Sequence, residues 1–327
     1  MGLYILRRFV NYLLLTAIAS CLAYVLASIT LDPAARYLGR NPRPSNATIQ
    51  HILDSHGVNP AVPVLERLGT WVSNLVLHGS LGTSVGNVPI VDEIFARAGT
   101  SLRLLLVGSI IGAVLGVLLG VWGAVRQYRA SDQVVTYISY IVFATPTFVI
   151  AIFFMIGATA LNHVTGLQLI NFTGEYSAGI SGSWWTLTSD RLVHLILPTL
   201  VLVFESAASY SRYQRSVMLD VLGADYIRTA RAKGRSRGSA LFRHGVRVAL
   251  IPMSTFFAYS FGTLVAGATM LEIVFSWHGM GELTLQSISQ SDINAVAGST
   301  LFVSVLILCS STLSEVLYAA LDPRVRS

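Results

Sequence analysis

The sequence predicts an all-α polytopic membrane protein. It would have six transmembrane helices, both termini inside, a long polar loop after the first helix and a long basic loop between the fourth and fifth. Three observations predict this. Of 327 residues, 53% are hydrophobic and 12% charged, whereas a soluble domain carries roughly 25% charged residues. Uncharged runs recur at the length that crosses a bilayer core, ~20 helical residues for ~30 Å. Basic residues gather in alternate connecting segments, the signature of cytoplasmic loops.

The spans follow in order. Phe9 to Leu31 is 23 residues without Asp, Glu, Lys or Arg, and Leu104 to Val125 is 22. Gln133 to Gly174 is 42 residues, read as one helix over about Val134 to Leu161 followed by loop. Leu192 to Tyr210 is a weaker run broken by Glu205. Val248 to Leu271 has 24 residues and Ile293 to Ser314 has 22. Arg7 and Arg8 precede the first span, Arg126 and Arg129 separate the second and third, and Arg324 and Arg326 follow the sixth. Residues 212–247 hold nine basic residues against Asp220 and Asp225, while 32–99 balances five Arg with five acids. The net charge of +6 therefore reads as an orientation signal, and no nucleic-acid partner is expected. The apolar run after Arg7-Arg8 continues ten residues past Cys21, so it reads as a span and not as a cleaved signal peptide.

Several chemistries are excluded. Lys233 is the sole lysine and lies in Ala232-Lys233-Gly234, so there is no P-loop, which needs Gly-Lys-Ser/Thr at the phosphates. No His-Glu pair exists for a zincin helix, and two cysteines in apolar runs make neither a disulfide framework nor a metal cluster. Gly82-Thr83-Ser84-Val85-Gly86 matches a nucleophile-elbow pattern but lacks the α/β sheet that such an elbow requires, so a glycine-rich turn is expected. His163 and His194 have no second ligand at metal spacing. No catalytic residue and no metal site are expected.

Finer features have physical readings. Gly108, Gly112, Gly116 and Gly120 repeat every four residues, which lets another helix approach one face closely. In the 32–98 insertion, Ala61 to Leu77 reads as an amphipathic helix carrying Leu65, Leu68, Val72 and Leu75. Trp184, Trp185 and Trp277 flank spans and read as an interfacial belt. In the basic loop, Val217 to Lys233 reads as a helix with Met218, Val221, Leu222 and Tyr226 on its apolar face, ended by Gly234. Ser239 to Val248 reads as a second short helix. Two short helices around a glycine bend form a rigid knob. Composition alone leaves lipid anchoring and protein docking equally open for it.

The residues of that knob carry a resemblance. Asp225-Tyr226-Ile227-Arg228-Thr229-Ala230-Arg231-Ala232-Lys233-Gly234, then Phe242-Arg243-His244 and Ala249-Leu250-Ile251-Pro252, resembles the cytoplasmic EAA loop of binding-protein-dependent ABC importer permeases, in the form found in the dipeptide/oligopeptide/nickel family. His194-Leu195-Ile196-Leu197-Pro198, Glu272-Ile273-Val274-Phe275-Ser276-Trp277 with Gly279-Met280-Gly281, and Tyr318 with Leu321-Asp322-Pro323-Arg324 stand in the same order. The long loop after the first span is similar to that of the B-type subunit of the pair, with a type I importer fold. The sequence departs from the pattern at three positions. Arg228 falls near the family's glutamate, His278 replaces a proline, and Glu205 stands in a span.

The resemblance implies a bacterial inner-membrane permease subunit that is not itself an enzyme. The cargo it implies is oligopeptides or dipeptides, with nickel or another small solute as the alternative. It implies a heterodimer with a second homologous permease, two ATPase subunits or a fused ATPase holding ATP and magnesium, and an extracytoplasmic substrate-binding protein. It divides the chain into a first helix (1–31), an extracytoplasmic insertion (32–98), the transmembrane domain (99–320) with its coupling loop (212–247), and a cytoplasmic tail (321–327). It assigns ATPase coupling to Asp225, Arg228, Thr229, Ala230, Arg231, Ala232, Gly234 and Arg235. Glu205 costs on the order of 3 kcal/mol in a helix centre. It lines a translocation path, or it is a carboxylate paired with Arg212 or with the second permease. A secondary transporter and a membrane scaffold are the competing classes. The first would need broken helices in matching halves, and the ordered motifs argue against both.

Overall fold

The computed structural model describes residues 2–38 and 41–321. Of the expected tail 321–327, residues 322–327, including the Asp322-Pro323-Arg324 motif, lie outside the described residues. The described chain is helical, with one isolated bridge between Thr83 and Pro89 and no sheet. In order come α1 (Gly2–Thr30), α2 (Ala35–Leu38), α3 (Asn46–Ser55), α4 (Val64–His78), α5 (Ile90–Val125), α6 (Ala130–Ala144), α7 (Thr147–Thr165) and α8 (Trp184–Gly223). There follow α9 (Asp225–Ala232), α10 (Arg237–Ala240), a π-helical stretch Leu241–Val246, α11 (Arg247–Ala249), α12 (Ile251–Val274), α13 (Met280–Ser289) and α14 (Ile293–Leu321). Among the described residues, five segments are long and apolar enough to cross a bilayer: Leu6–Thr30, Ile90–Val125, Thr147–Thr165, Trp184–Gly223 and Ile293–Leu321. The expected span 248–271 falls on α12, a helix of 24 residues.

One expected helix is in fact two. The run from Val134 to Leu161 is split between α6 and α7 at Thr145-Pro146. Proline has no N–H to donate, and it pushes the residue before it out of the helical region. Thr145 accordingly sits at φ −95°, ψ 127°. Pro198, by contrast, is carried inside the 40-residue α8.

The chain divides into two compact units. The first comprises 102–277 with the described residues of 1–6 and 310–327, and the second comprises 7–101 and 278–309.

In the first unit the glycine stripe has its partner. A Cβ built on Gly108 would lie 2.8 Å from Leu202 Cβ, on Gly112 2.5 Å from Ser206 Cβ, and on Gly120 2.7 Å from both Gln214 Cβ and the Ser211 carbonyl. At Gly116 it would collide with Tyr210 Cβ and sit 2.9 Å from the Ala207 carbonyl. The stripe of α5 thus packs onto α8 residues that also repeat every four. A second link is an ion pair absent from the sequence reading. Arg215 Nε and Nη2 donate to the two oxygens of Asp132 at 2.7 Å each, and the Tyr128 N–H adds a bond at 3.1 Å. Asp132 is buried at the start of α6. Gly123 provides its space, since a Cβ there would lie 2.9 Å from Asp132 Oδ1.

The arginine bonds hold the Asp132 carboxyl below the ordinary aspartate range. A lowered folded pKa means that the pair stabilises above the unfolded value, about 4, and loses its contribution as pH falls through the folded value. Arg215→Met leaves Asp132 buried without its partner and is expected to cost about 3 kcal/mol. Thermal unfolding of the detergent-solubilised protein at pH 7 reads this. Asp132→Asn combined with Arg215→Met should recover part of the loss, because no charge is then stranded.

In the second unit the 32–98 insertion packs around Tyr24, Ile49, Leu53, Trp71, Ile90 and Ile293. Trp71 Nε1 donates to the Leu81 carbonyl at 3.2 Å, and its ring stands 5.3 Å from that of Tyr24. α4 begins three residues after the expected Ala61. Leu68, Val72 and Leu75 pack inward as anticipated. Leu65 does not: it is exposed, and Trp71 completes the buried face. Residues 82–86 form a turn, with Ser84 Oγ accepting the N–H groups of Gly86 and Val88 at 3.3 Å each. Asp292 caps α14 through the Ala295 N–H at 3.0 Å and accepts from Val85 N–H at 2.7 Å, while Asn294 Nδ2 donates to the His56 carbonyl at 3.0 Å. The segment 278–294 and the insertion are therefore one structure, where the sequence reading treated them as separate loops.

Candidate functional site

Two places in the first unit carry the residues singled out by sequence: the helical knob after α8, and a cavity beside Glu205.

The knob is built differently from the expected Val217–Lys233 helix. α8 stops at Gly223, Ala224 is extended at φ −72°, ψ 142°, and α9 restarts at Asp225. The break shifts the apolar register. Tyr226, expected on the packed face, is exposed, and Ile227 is buried instead. Ile227 packs with Met218, Val221, Leu241 and Ala249, and with Val121 and Ala124 from the end of α5. Gly245 in the π stretch permits this seat, since a Cβ there would be 3.1 Å from Val221 Cγ1 and 3.5 Å from Ile227 Cδ1. Ile227→Ala is expected to cost about 2–4 kcal/mol locally, seen as faster hydrogen exchange confined to residues 224–249.

The far end of α9 closes as glycine predicts. Gly234 has φ +84°. Its N–H reaches the Arg231 carbonyl at 3.0 Å, and the Arg235 N–H reaches the Ala230 carbonyl at 3.3 Å. This pair of bonds is the Schellman closure, which satisfies carbonyls that would otherwise be orphaned. Asp225 lies in the first turn and Arg231 in the last, the signs that the helix dipole favours. Asp225, Arg228, Thr229, Arg231, Ala232, Gly234 and Arg235 are all exposed, with Ala230 half-buried. The structure thus brings all eight together on one short helix and its closing turn, held from beneath by Ile227. Arg228 Nη1 lies 3.6 Å from Asp225 Oδ1, both largely in solvent, so this pair contributes little to folding. The second expected helix, Ser239–Val248, is observed as a continuous helical run 237–249 with a π stretch at its centre, opened by Ser236 Oγ accepting from Ser239 N–H.

The cavity has a volume of about 610 Å³ and is lined by Tyr140, Phe143, Glu205, Ser209, Arg212 and Tyr213 among others. Glu205 does not pair with Arg212 in the described structure. Its Oε2 accepts from Thr147 Oγ1 at 2.9 Å, and Thr147 opens α7 directly after the Pro146 break. The Arg212 guanidinium lies instead over the Phe143 ring at 4.1 Å and the Tyr140 ring at 5.2 Å, a cation–π arrangement. The cavity therefore carries an acid and, two turns further along α8, a cation with aromatic rings packed against it. Trp184 and Trp185 are exposed at the start of α8, as an interfacial belt requires, but Trp277 is buried at 2% exposure and belongs to the core.

Residues 100–327 match the family described as "Binding-protein-dependent transport system inner membrane component". The chain belongs to this family. Over 323 residues it is 49% identical to the oligopeptide transport system permease protein OppB of Mycobacterium tuberculosis, covering 99% of this chain and 98% of that protein. It is 32% identical to the oligopeptide transport system permease protein AppB of Bacillus subtilis over 333 residues, 99% of each chain. It is 28% identical to the glutathione transport system permease protein GsiC of Shigella flexneri over 324 residues, 99% of this chain and 98% of that one. As a member of the family the chain is a multi-pass inner-membrane permease subunit that works in a complex with other subunits. The competing secondary-transporter and scaffold readings fall with this membership.

Proposed function

We propose that this chain forms half of the pathway of an ATP-driven importer for oligopeptides or dipeptides. The observation that carries the reading is the glycine-closed α9, an exposed polar helix fixed to the end of α5 and to α8 by one buried isoleucine. ATP can drive transport only through its different affinity for two conformations, and the permease must follow the ATPase as a rigid lever. A seated helix transmits such displacement, and a solvated loop does not. In this reading Asp225, Arg228, Thr229, Ala230, Arg231, Ala232, Gly234 and Arg235 face a cleft of a cytoplasmic ATPase, which holds ATP and magnesium. The six spans run N-in and C-in, with α12 as the fifth. A second, homologous permease completes the pathway, and an extracytoplasmic binding protein delivers cargo to the face carrying the 32–98 insertion. The names of the full-length relatives support the peptide cargo.

The cavity beside Glu205 extends the reading to the pathway itself. A peptide presents an ammonium and a carboxylate joined by amides, and the cavity offers Glu205 and, two turns along the same helix, Arg212, with aromatic and serine side chains also lining it. Glu205→Gln removes the anion but keeps the Thr147 contact. It is expected to raise the KM for peptides with a free amino terminus about tenfold relative to amino-acetylated ones, on the scale of one charge-assisted hydrogen bond. Uptake of labelled tripeptides by proteoliposomes holding the whole complex measures this. An unchanged ratio would remove Glu205 from the pathway. Affinity purification in mild detergent tests the assembly, which requires a second permease and a P-loop ATPase to travel with the tagged chain.

A further inference from the structure

Apart from these sites, the first unit carries a groove of about 900 Å³ formed by α5, α6, α10 and the π stretch. Its apolar lining includes Leu118, Leu119, Val121, Val135, Leu241, Phe242 and Val246. Leu118 is 59% exposed and Phe242 70% exposed, so no described residue covers these two. Arg126, Arg129 and Arg237 also line it. Arg126 lies 5.0 Å over the Trp122 ring, and none of the three has an acidic partner among the described residues. They come from two stretches of chain: Arg126 and Arg129 from the short α5–α6 connection, where the Arg129 N–H reaches the Arg126 carbonyl at 3.0 Å, and Arg237 from the first residue of α10.

A mainly apolar groove whose lining also carries three cations combines the two chemistries of an anionic phospholipid. We infer that the groove binds an anionic phospholipid, with its phosphate headgroup among Arg126, Arg129 and Arg237 and an acyl chain along Leu118, Leu119 and Leu241. Two further features favour this occupant. The arginines stand on the loops that the topology proposed above places at the cytoplasmic surface, where anionic lipid is concentrated and each basic residue near the surface contributes to binding. Leu118, Leu119 and Val121 belong to α5, one of the helices long and apolar enough to cross the bilayer, so an acyl chain along them remains continuous with the membrane. Occupancy would brace α10 and the π stretch, on which Ile227 of α9 is seated, so the lipid would stiffen the knob.

Native mass spectrometry of the delipidated complex, titrated with dioleoyl phosphatidylglycerol or dioleoyl phosphatidylcholine, tests the inference. One tightly held phosphatidylglycerol per chain is expected, with phosphatidylcholine binding much more weakly. Arg126→Gln, Arg129→Gln and Arg237→Gln together should weaken phosphatidylglycerol on the order of 100-fold, about fivefold for each arginine. Leu118→Trp should displace the lipid with every arginine retained, which separates a groove from a merely basic surface. Equal binding of the two lipids would overturn the inference. So would a photoactivatable acyl chain that fails to label 115–125 or 241–246, or a residue-specific crosslinker at Leu118 that captures the second permease in the groove. Each readout is independent of transport, so the cargo and coupling readings can fail without touching this one.

Discussion

Gly116→Leu is expected to destabilise the folded protein severely. The glycine stripe of α5 lies against α8 so closely that any side chain at Gly116 meets Tyr210 Cβ, the Ala207 carbonyl and, at 3.1 Å, Ala207 Cα. Two of these are backbone atoms, so no change of rotamer relieves the collision and the helices must separate. Overpacking usually costs about 1–3 kcal/mol where side chains can shift. Here the whole α5–α8 contact is displaced, so the loss should reach the upper end of that range or exceed it. The same contact supports the floor of the knob through Val121 and Ala124. The readout is the yield of monodisperse protein after detergent extraction, together with the midpoint of thermal unfolding. Gly157→Leu is the control. It sits on α7 with no atom within 4 Å of an added Cβ, and should be tolerated. An unfolding midpoint for Gly116→Leu equal to that of the unsubstituted protein would show that α5 and α8 do not pack this way.

Charge reversal on α9 is expected to have the opposite profile, with folding preserved and work lost. Arg228 and Arg231 are exposed, and the ion pair of Arg228 with Asp225 is largely in solvent. Exposed charges contribute little to stability, so Arg228→Glu with Arg231→Glu should leave thermal stability within about 0.5 kcal/mol. At an interface the same arginines make charge-assisted hydrogen bonds of about 1.5–3 kcal/mol each. Reversing both should lower peptide uptake by at least ~tenfold, while the ATPase subunits continue to hydrolyse ATP. The measurement is the ratio of peptide transported to ATP hydrolysed in proteoliposomes. Normal transport by this variant would remove α9 from coupling. Ile227→Ala separates seat from contact, because it should loosen 224–249 and lower transport without changing any charge.

Some of this molecule is legible along the chain because its cause is local. A bilayer demands ~20 apolar helical residues for each crossing, so α1, α5 and α14 stand out from their uncharged runs alone. Gly234 at a left-handed position announces the end of α9 by the same local logic. The four-residue glycine repeat declares a close helix contact, although not with which helix. Where local and tertiary demands compete, the chain alone misleads. The run 134–161 has the composition of one helix, yet Pro146 divides it. Tyr226 continues the helical spacing of Met218, Val221 and Leu222, but the break at Ala224 turns Ile227 inward in its place.

What the sequence determined by itself was the membrane class, the alternation of basic loops and the family motif, each readable from composition, spacing or a contiguous string. Only the tertiary structure decided which residues meet. Asp132 and Arg215 stand 83 residues apart, and nothing near either predicts their bidentate pair. The same holds for Glu205 with Thr147, for Arg212 over Phe143, and for Asp292 with the turn at Val85. The physical reason is that bilayer partition and helix capping act within a few turns of one helix, so they leave a pattern in neighbouring residues. A contact between distant helices is chosen by shape and charge across a gap that the linear order does not encode.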